Sequence, residues 1–552
     1  MFMLENLSLY EAFQTSVKNT PFGKAVYYQG TQFSYRRFSH LVDRMADILV
    51  HQLGIKPKDV ILVAQPNIPD TLILIYAINK IGAIVNLVHP FTPYNQIRSI
   101  MEKTQTKIAF LFEQRVAKEV EQYRGIADRI YVTRVEDYLP IAKKNFYHIF
   151  MNKDIRKKLG KFRGKFKGFS YLYQLKPTGK SVETVTGKSK EISVYLHSGS
   201  TTGEPKIICL CDDNFNFICD QTDVAASLPR EQLKHFGMLS VLPSFHGFGF
   251  CMTMHNSLTN SMNCILIPKY SPKEVVKTMK KTSVNLCVGV PTMFESLLNY
   301  SPFVKSKKLK NWFVCFSGGD TLSTVLKERF DNVMKSHGSP CRVFEGYGLT
   351  ESVAAISINT FEHNRDGSIG YPLHDVQIRI VDDNGKELPR GEIGEITIKS
   401  KATMVSYLND DEATKKAVVD GWLYTGDLGY VDKDNYLFFK LRKKRVIKVS
   451  GVGVFPTEIE ALVNHIQGVK GCCAIRIPDA RLQSAVKIFV VADYFDEQGM
   501  KDLILDTCRK YLIRWAVPKE IEFIEKLPMT MLNKVNFSKL QKEENERRNL
   551  EG

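Results

Sequence analysis

Tyr195-Leu196-His197-Ser198-Gly199-Ser200-Thr201-Thr202-Gly203-Glu204-Pro205-Lys206 runs from a short apolar stretch into small, hydroxylated and glycine residues and ends on a cation. Residues of these types wrap phosphates. Glycine lets N–H groups turn toward an anion with no Cβ in the way, Ser and Thr add hydroxyl donors, and Lys206 supplies a point charge. Ile207, Ile208 and Leu210 follow at once, so the loop is expected to join two strands. A Walker A loop needs Gly-Lys-Ser/Thr opening a helix, and this stretch does not fit it.

Outward from that loop, helical and strand patterns alternate. Ser271-Pro272-Lys273-Glu274 reads as an N-cap, a proline at the first helical position and a capping-box glutamate, with Val275, Val276 and Met279 at helical spacing. Strand patterns at 286–290 and 312–316 flank a helical one at 292–300, as in a parallel sheet covered by helices. Ser317-Gly318-Gly319-Asp320 falls at a strand end, where such a sheet places ligand. The apolar run from Thr71 to Pro90 is interrupted by Asn79, Lys80 and Asn86 and reads as a buried helix followed by a strand. Beyond about 441 the pattern changes. Thr457-x-x-Glu460 is expected to start a helix carrying Ile459, Leu462, Val463 and Ile466, strands follow at 473–477 and 485–491, then a helix at 498–512 and an extended segment at 521–524.

Three further segments carry chemistry. Phe344-Glu345-Gly346-Tyr347-Gly348-Leu349-Thr350-Glu351-Ser352 offers a base-stacking ring, a hydroxyl and a carboxylate suited to Mg²⁺. Tyr424-Thr425-Gly426-Asp427 is expected to set a carboxylate on a tight turn, able to accept two hydrogen bonds from a ribose diol. Leu441-Arg442-Lys443-Lys444-Arg445-Val446-Ile447-Lys448-Val449-Ser450-Gly451 leads into Val454-Phe455-Pro456. In this order and at these separations the four segments resemble the adenylate-forming (AMP-binding) superfamily, on its acyl-CoA synthetase and fatty-acid–CoA ligase branch.

The resemblance implies an α/β fold: a large N-terminal domain of parallel-rich sheets flanked by helices (1–440, with a basic insertion at about 141–190), a hinge at 441–444, and a smaller mobile α+β C-terminal domain (445–552). It implies ATP, Mg²⁺ and coenzyme A as cosubstrates. Ser198, Gly199, Ser200, Thr201, Thr202, Gly203 and Lys206 would hold the β- and γ-phosphates, Thr350 the α-phosphate and Glu351 the metal. Tyr347 would stack on adenine beside Gly318 and Gly319, and Asp427 and Arg442 would grip the ribose. Leu527-Pro528-Met529-Thr530-Met531-Leu532-Asn533-Lys534-Val535 is similar to the segment whose lysine meets the acyl phosphate, which implies that role for Lys534, although Asn533 stands where glycine is usual. Lys444 matches the hinge, with Leu441 in place of the common glycine. Lys448 and Gly451 match the face that turns inward for thioester formation. Val241-Leu242-Pro243-Ser244-Phe245-His246-Gly247-Phe248-Gly249 resembles the acyl-site segment. His246 stands where amino-acid-activating members carry Asp, and Gly348 stands where short-acid members place a large aromatic, so a medium- or long-chain fatty acid is expected and an open pocket floor at Gly348. Two alternatives stand beside this: an aryl- or other small-acid ligase or carrier-protein-loading enzyme, and an inactive nucleotide-binding, membrane-associated regulator.

Bulk properties bound the rest. A chain of 552 residues exceeds the size of one core. Its eleven scattered cysteines have no metal-ligand spacing and read as buried thiols of a reducing compartment. The N-terminus lacks the pattern of a signal peptide. The formal charge is +17, and Ile141 to Ser170 hold ten Lys or Arg against the single acid Asp154, interleaved with six Phe or Tyr. Such a segment suits peripheral contact with an anionic membrane, or is a solvated insertion. Nucleic acid is not expected as a partner, and a cytoplasmic protein touching the inner membrane face is.

Overall fold

The computed structural model describes residues 3–147, 154–155, 157–159, 170–171, 175–198, 206–450, 452–479, 481–493, 496–529 and 535–551. The chain forms two compact units, one of Met1–Ser198, Lys206–Gln377 and Lys399–Gly421, the other containing Ile378–Ile398 and Trp422–Gly552. Residues 441–444 lie inside the second unit.

Two sheets build the first unit. In the eight-stranded sheet, Ile192–His197, Ile84–Leu87, Val60–Ala64, Ile108–Phe112 and Ile130–Thr133 run parallel, each rich in the β-branched and aromatic residues that pack on a pleated surface. Ile207–Cys211 and Ser406–Tyr407 close its other edge antiparallel. The nine-stranded sheet has a parallel centre of Lys24–Tyr28, Asn263–Leu266, Gly237–Ser240, Leu286–Gly289, Val314–Ser317 and Val343–Gly348. This is the parallel-rich, helix-flanked α/β architecture expected.

Local rules explain the helices. Ser271 caps Pro272–Met279 by accepting the Glu274 N–H at 3.2 Å. The Glu274 carboxylate does not complete the expected box; it pairs with Lys277 one turn on, at 2.9 Å. Pro69–Lys80 is buried along its whole length and leads to the buried strand Ile84–Leu87, as the interrupted apolar run implied. Among the described residues no helix is long and apolar enough to cross a membrane.

The second unit is smaller and mostly antiparallel. Its first sheet includes Gln377–Val381, Gly394–Lys399, Trp422–Val431 and Leu437–Arg442. A hairpin, Ile447–Val449 with Val452–Val454, precedes the helix Pro456–Asn464 and the three-stranded sheet Val469–Asp479, Gln483–Ala492 and Glu520–Phe523. Thr457 is not the N-cap expected. Pro456 opens the helix, Thr457 Oγ1 donates to the Lys440 carbonyl at 3.0 Å, and Glu460 accepts the Ala474 N–H at 2.9 Å. The last helix, Phe537–Glu551, is tied down where Glu544 accepts from the buried Lys487 at 2.9 Å.

All eleven cysteines are buried free thiols. Burial pushes several far up the pH scale, Cys209, Cys211 and Cys508 to about 11 and Cys264 and Cys473 to about 12.

Candidate active site

Strands set the base of the phosphate-type loop. Ile192–His197 and Ile207–Cys211 are antiparallel neighbours with His197 opposite Ile207, so the loop does join two strands. Ser198 N–H donates to the Lys206 carbonyl and Ser198 Oγ accepts the Lys206 N–H, both at 2.9 Å. This reciprocal clamp closes the loop at its neck. Gly199, Ser200, Thr201, Thr202 and Gly203 lie outside the described residues. Just before the neck, His197 Nε2 meets the buried Asn86 Oδ1 at 2.7 Å, and burial pushes the imidazole down to about 4, so it is neutral at pH 7.

Lys206 and Glu351 meet the same ring. The Lys206 ammonium sits 4.3 Å from the centroid of Tyr407, a cation–π contact, while Tyr407 Oη donates to Glu351 Oε1 at 2.9 Å. Tyr407 is buried, and burial followed by the Glu351 charge holds its phenol protonated. Backbone pairing fixes both neighbours: Val405 and Leu408 donate to Cys209 and Ile207 of the strand that starts after Lys206, and Met404 N–H donates to the Glu351 carbonyl at 2.7 Å. The second Glu351 oxygen has no protein donor among the described residues. One carboxylate with an oxygen that the described residues do not engage suits a Mg²⁺ that arrives on a nucleotide and takes its other ligands from phosphates and water. Among the described residues no cluster of three or more His, Cys, Asp or Glu could hold a metal on its own.

Glu351 belongs to a tight 3₁₀ turn, Thr350–Ser352, which ends in an unusual conformation. Val353 has φ 66° and ψ −58°, and the Ala354 N–H donates to the Ser352 carbonyl at 2.7 Å. This is a γ-turn with positive φ at a β-branched residue, a strained arrangement that only tight surroundings sustain. Val353 is 1% exposed, and its carbonyl lies 2.0 Å from where a Cβ on Gly247 would be. Gly247 is glycine because that carbonyl fills the space. The His246 segment is thereby packed onto the Thr350–Glu351 turn. His246 itself caps the turn at 247–249, its Nδ1 accepting the Phe248 N–H at 3.3 Å, and the Phe248 ring abuts Gly318.

The glycine turn after Val314–Ser317 is held on two sides: Gly318 N–H donates to the Gly289 carbonyl at 3.1 Å, and Leu322 N–H to Glu345 Oε1 at 3.0 Å. Gly319 adopts φ 78°. Burial raises Glu345 to about 7. Tyr347 stands on the strand Val343–Gly348 opposite Ser357. A Cβ on Gly348 would fall 1.7 Å from the Ala354 carbonyl oxygen, where the hairpin register shifts. The backbone beside Gly348 leaves no room for a side chain, which is by itself a sufficient reason for glycine at this position.

In the second unit Asp427 is not on a tight turn. It occupies an inward position of the ten-residue strand Trp422–Val431, next to Gly426 at φ 69°. The carboxylate is buried and meets Arg442 Nε at 3.0 Å, the two residues being direct cross-strand partners. Lys443 follows, its ammonium between Asp383 at 2.8 Å and Glu395 at 2.9 Å. Arg445 turns the other way, pairing with Glu460 and lying 4.7 Å from the Phe537 ring. Lys444 stands exposed between these anchors.

Residues 13–408 match the family model "AMP-binding enzyme", and 458–534 match "AMP-binding enzyme C-terminal domain". The chain belongs to the AMP-binding enzyme family. It is 27% identical over 547 residues to a long-chain-fatty-acid–CoA ligase of Bacillus subtilis, covering 98% of this chain and 96% of that one. Two solved structures share the fold: ATP-bound MatB from Rhodopseudomonas palustris (TM-score 0.81, 21% identity, 97% and 98% coverage) and an anthranilate CoA ligase in complex with anthranoyl-AMP (0.79, 20%, 98% and 98%). The expected family is therefore the right one, and the relatives are consistent with an AMP-forming acid–CoA ligase.

In this AMP-binding enzyme the first unit joins Ser198 to Lys206, links Lys206 and Glu351 through Tyr407, and packs the His246 segment against Gly318 and the end of the Thr350–Ser352 turn; Tyr347 stands on the strand that leads into that turn. Lys448 lies on the hairpin strand Ile447–Val449, exposed and opposite Gly453; Gly451 and Lys534 fall outside the described residues. Sequence reasoning missed Tyr407, Val353 and the His197–Asn86 pair. Tyr407 lies far along the chain from both residues it joins, so no local pattern marks it.

Proposed function

We propose that this enzyme activates a medium- or long-chain fatty acid in two steps. The carboxylate oxygen attacks the α-phosphorus of MgATP, the bond to pyrophosphate breaks, and acyl-AMP forms. The thiolate of coenzyme A then attacks the acyl carbon, and AMP leaves with the electron pair of the cleaved C–O bond. The observation that carries the first step is the Lys206–Tyr407–Glu351 arrangement beside the clamped loop: a cation for phosphate and a carboxylate for the metal, held apart in one site. Transferring phosphoryl oxygens gain charge as the reaction proceeds, so donors fixed beforehand are what the step needs.

Residue roles follow the resemblance. Ser198, Lys206 and the glycine-rich loop hold the terminal phosphates, Thr350 the α-phosphate, Tyr347 and the Gly318–Gly319 turn the adenine, Asp427 and Arg442 the ribose, and Lys534 the acyl phosphate. His246 orients the acid. For the second step the part after 444 turns, bringing Lys448 and Gly451 to the site. The opposed anchors of Lys443 and Arg445 support Lys444 as the pivot.

The likeness over nearly the whole chain to a long-chain-fatty-acid–CoA ligase supports a fatty acid. The anthranilate CoA ligase of the same fold is the ground for a second reading, a small or aromatic acid. Pyrophosphate release over acids graded from acetate to palmitate, with and without coenzyme A, separates them: rates rising with chain length support the first, and a maximum at short or aryl acids the second.

Contact with an anionic membrane is proposed for the basic segment. Its helix Ile141–Phe146 leaves Ile141 80% and Phe146 56% exposed. Lys143 is lowered by burial and then by the nearby Lys281 and Lys277, so cations from a distant stretch of chain add to this face. Cosedimentation with anionic but not neutral vesicles, weakening with salt, would support a cytoplasmic enzyme working at the inner membrane face. Equal recovery with both vesicle types would sink it.

A further inference from the structure

Resting on the adenylation reading, we infer that Tyr407 is a positioning residue that keeps the site's cation and its carboxylate from neutralising each other. Lys206 lies over the ring at 4.3 Å and Glu351 accepts from the hydroxyl at 2.9 Å, so one side chain occupies both. A lysine and a glutamate that reach the same ring would, without it, be drawn into an ion pair. That pair would have to be broken before Lys206 could reach phosphate and Glu351 a metal-bound nucleotide. The aromatic face gives Lys206 a weak resting place, worth less than phosphate, while the hydroxyl holds only one oxygen of Glu351.

Position supports the role. Tyr407 N–H donates to Thr414 Oγ1 at 2.9 Å, its strand is paired to the one that begins after Lys206, and Met404 of the same segment holds the Glu351 backbone. The tyrosine is thus fixed through the backbone of its own segment, without need of the Lys206 and Glu351 side chains. It orients them, and they do not orient it.

The ring and the hydroxyl have separable functions, so two variants test the idea in the full-length protein. Tyr407→Phe keeps the resting face and loses the bond to Glu351. ATP binding in EDTA, measured by calorimetry, should stay within about twofold of wild type, while the Mg²⁺ concentration for half-maximal pyrophosphate release should rise about tenfold or more, on the order of one charged hydrogen bond. Tyr407→Leu removes both. It should lose about tenfold in metal-free ATP affinity as Lys206 and Glu351 pair, and Glu351→Gln in the same chain should restore most of that loss. Conversion of supplied acyl-AMP to thioester should be unchanged in both. Additive effects of Tyr407→Leu and Glu351→Gln, or equal losses in the two Tyr407 variants, would overturn the inference. If Tyr407→Leu melts early, Tyr407→Phe alone decides it through the metal dependence. A wild-type protein that binds no ATP would instead overturn the adenylation reading.

Discussion

Arg442 Nε lies 3.0 Å from Asp427 Oδ1, and the two residues stand directly opposite each other on antiparallel strands. The pair is lopsided: the Asp427 side chain is 2% exposed and that of Arg442 62%. The carboxylate is enclosed and the guanidinium faces solvent. Asp427→Asn should therefore weaken ATP binding by about ten- to a hundredfold, as expected for charged hydrogen bonds to a ribose diol. Arg442→Ala should cost no more than about 1 kcal/mol of stability, because solvent screens its side of the pair. Calorimetric ATP titration with urea unfolding checks both; unchanged affinity in the Asp427 variant would remove it from the nucleotide site.

Gly348→Ala places a methyl group on the Ala354 carbonyl. The backbone must move, and a loss of about 2–4 kcal/mol is expected from overpacking at a hairpin. Denaturant midpoints of Gly348→Ala and wild type give the answer. A variant of wild-type stability whose acid preference alone shifts would support the pocket-floor reading.

Lys444→Pro fixes one backbone angle and removes a donor at the exposed residue between two anchored ones. If that residue is the pivot, thioester formation from supplied acyl-AMP should fall at least tenfold while pyrophosphate release in a single turnover is spared. Losses shared by both half-reactions would mean that motion is not centred there.

The neutral His197 makes stability depend on pH. Its folded value is near 4 against an ordinary 6.5, so between these the unfolded chain takes up a proton that the folded one does not. Stability from the neutral ring is present above 6.5 and is lost as pH falls toward 4, by at most about 3 kcal/mol. Asp212 and Glu345, raised by burial to about 7, titrate with opposite sign. The informative quantity is the difference from His197→Gln in urea midpoints at pH 7 and pH 5. Wild type should lose the more on acidification, and parallel changes would refute the assignment.

Much of this was legible in the sequence because it is local. The strand-to-strand loop, the cap at Ser271, the buried run ending near Pro90 and the carboxylate turn after Tyr347 each follow from neighbours within a few residues. What was misread depends on partners far along the chain. Thr457 looked like a cap until Pro456 and the Lys440 carbonyl claimed the positions around it. Asp427 looked like a turn residue because Thr-Gly-Asp usually is one, whereas a long strand pairing with Leu437–Arg442 overrides that preference. Tyr407 could not be found at all, since its meaning lies in two residues 201 and 56 positions away.

The buried, weakly acidic thiols have a practical consequence. With eleven cysteines enclosed, a maleimide dye applied to the native fold should find little to react with, so probes can be attached without first stripping the chain of its own sulfur. Lys416 and Lys542, 80% and 78% exposed and one in each compact unit, are sites for an introduced donor and acceptor. Single-molecule energy transfer between them would follow the enzyme through acid, ATP and coenzyme A in turn, in a protein whose interior remains wild type.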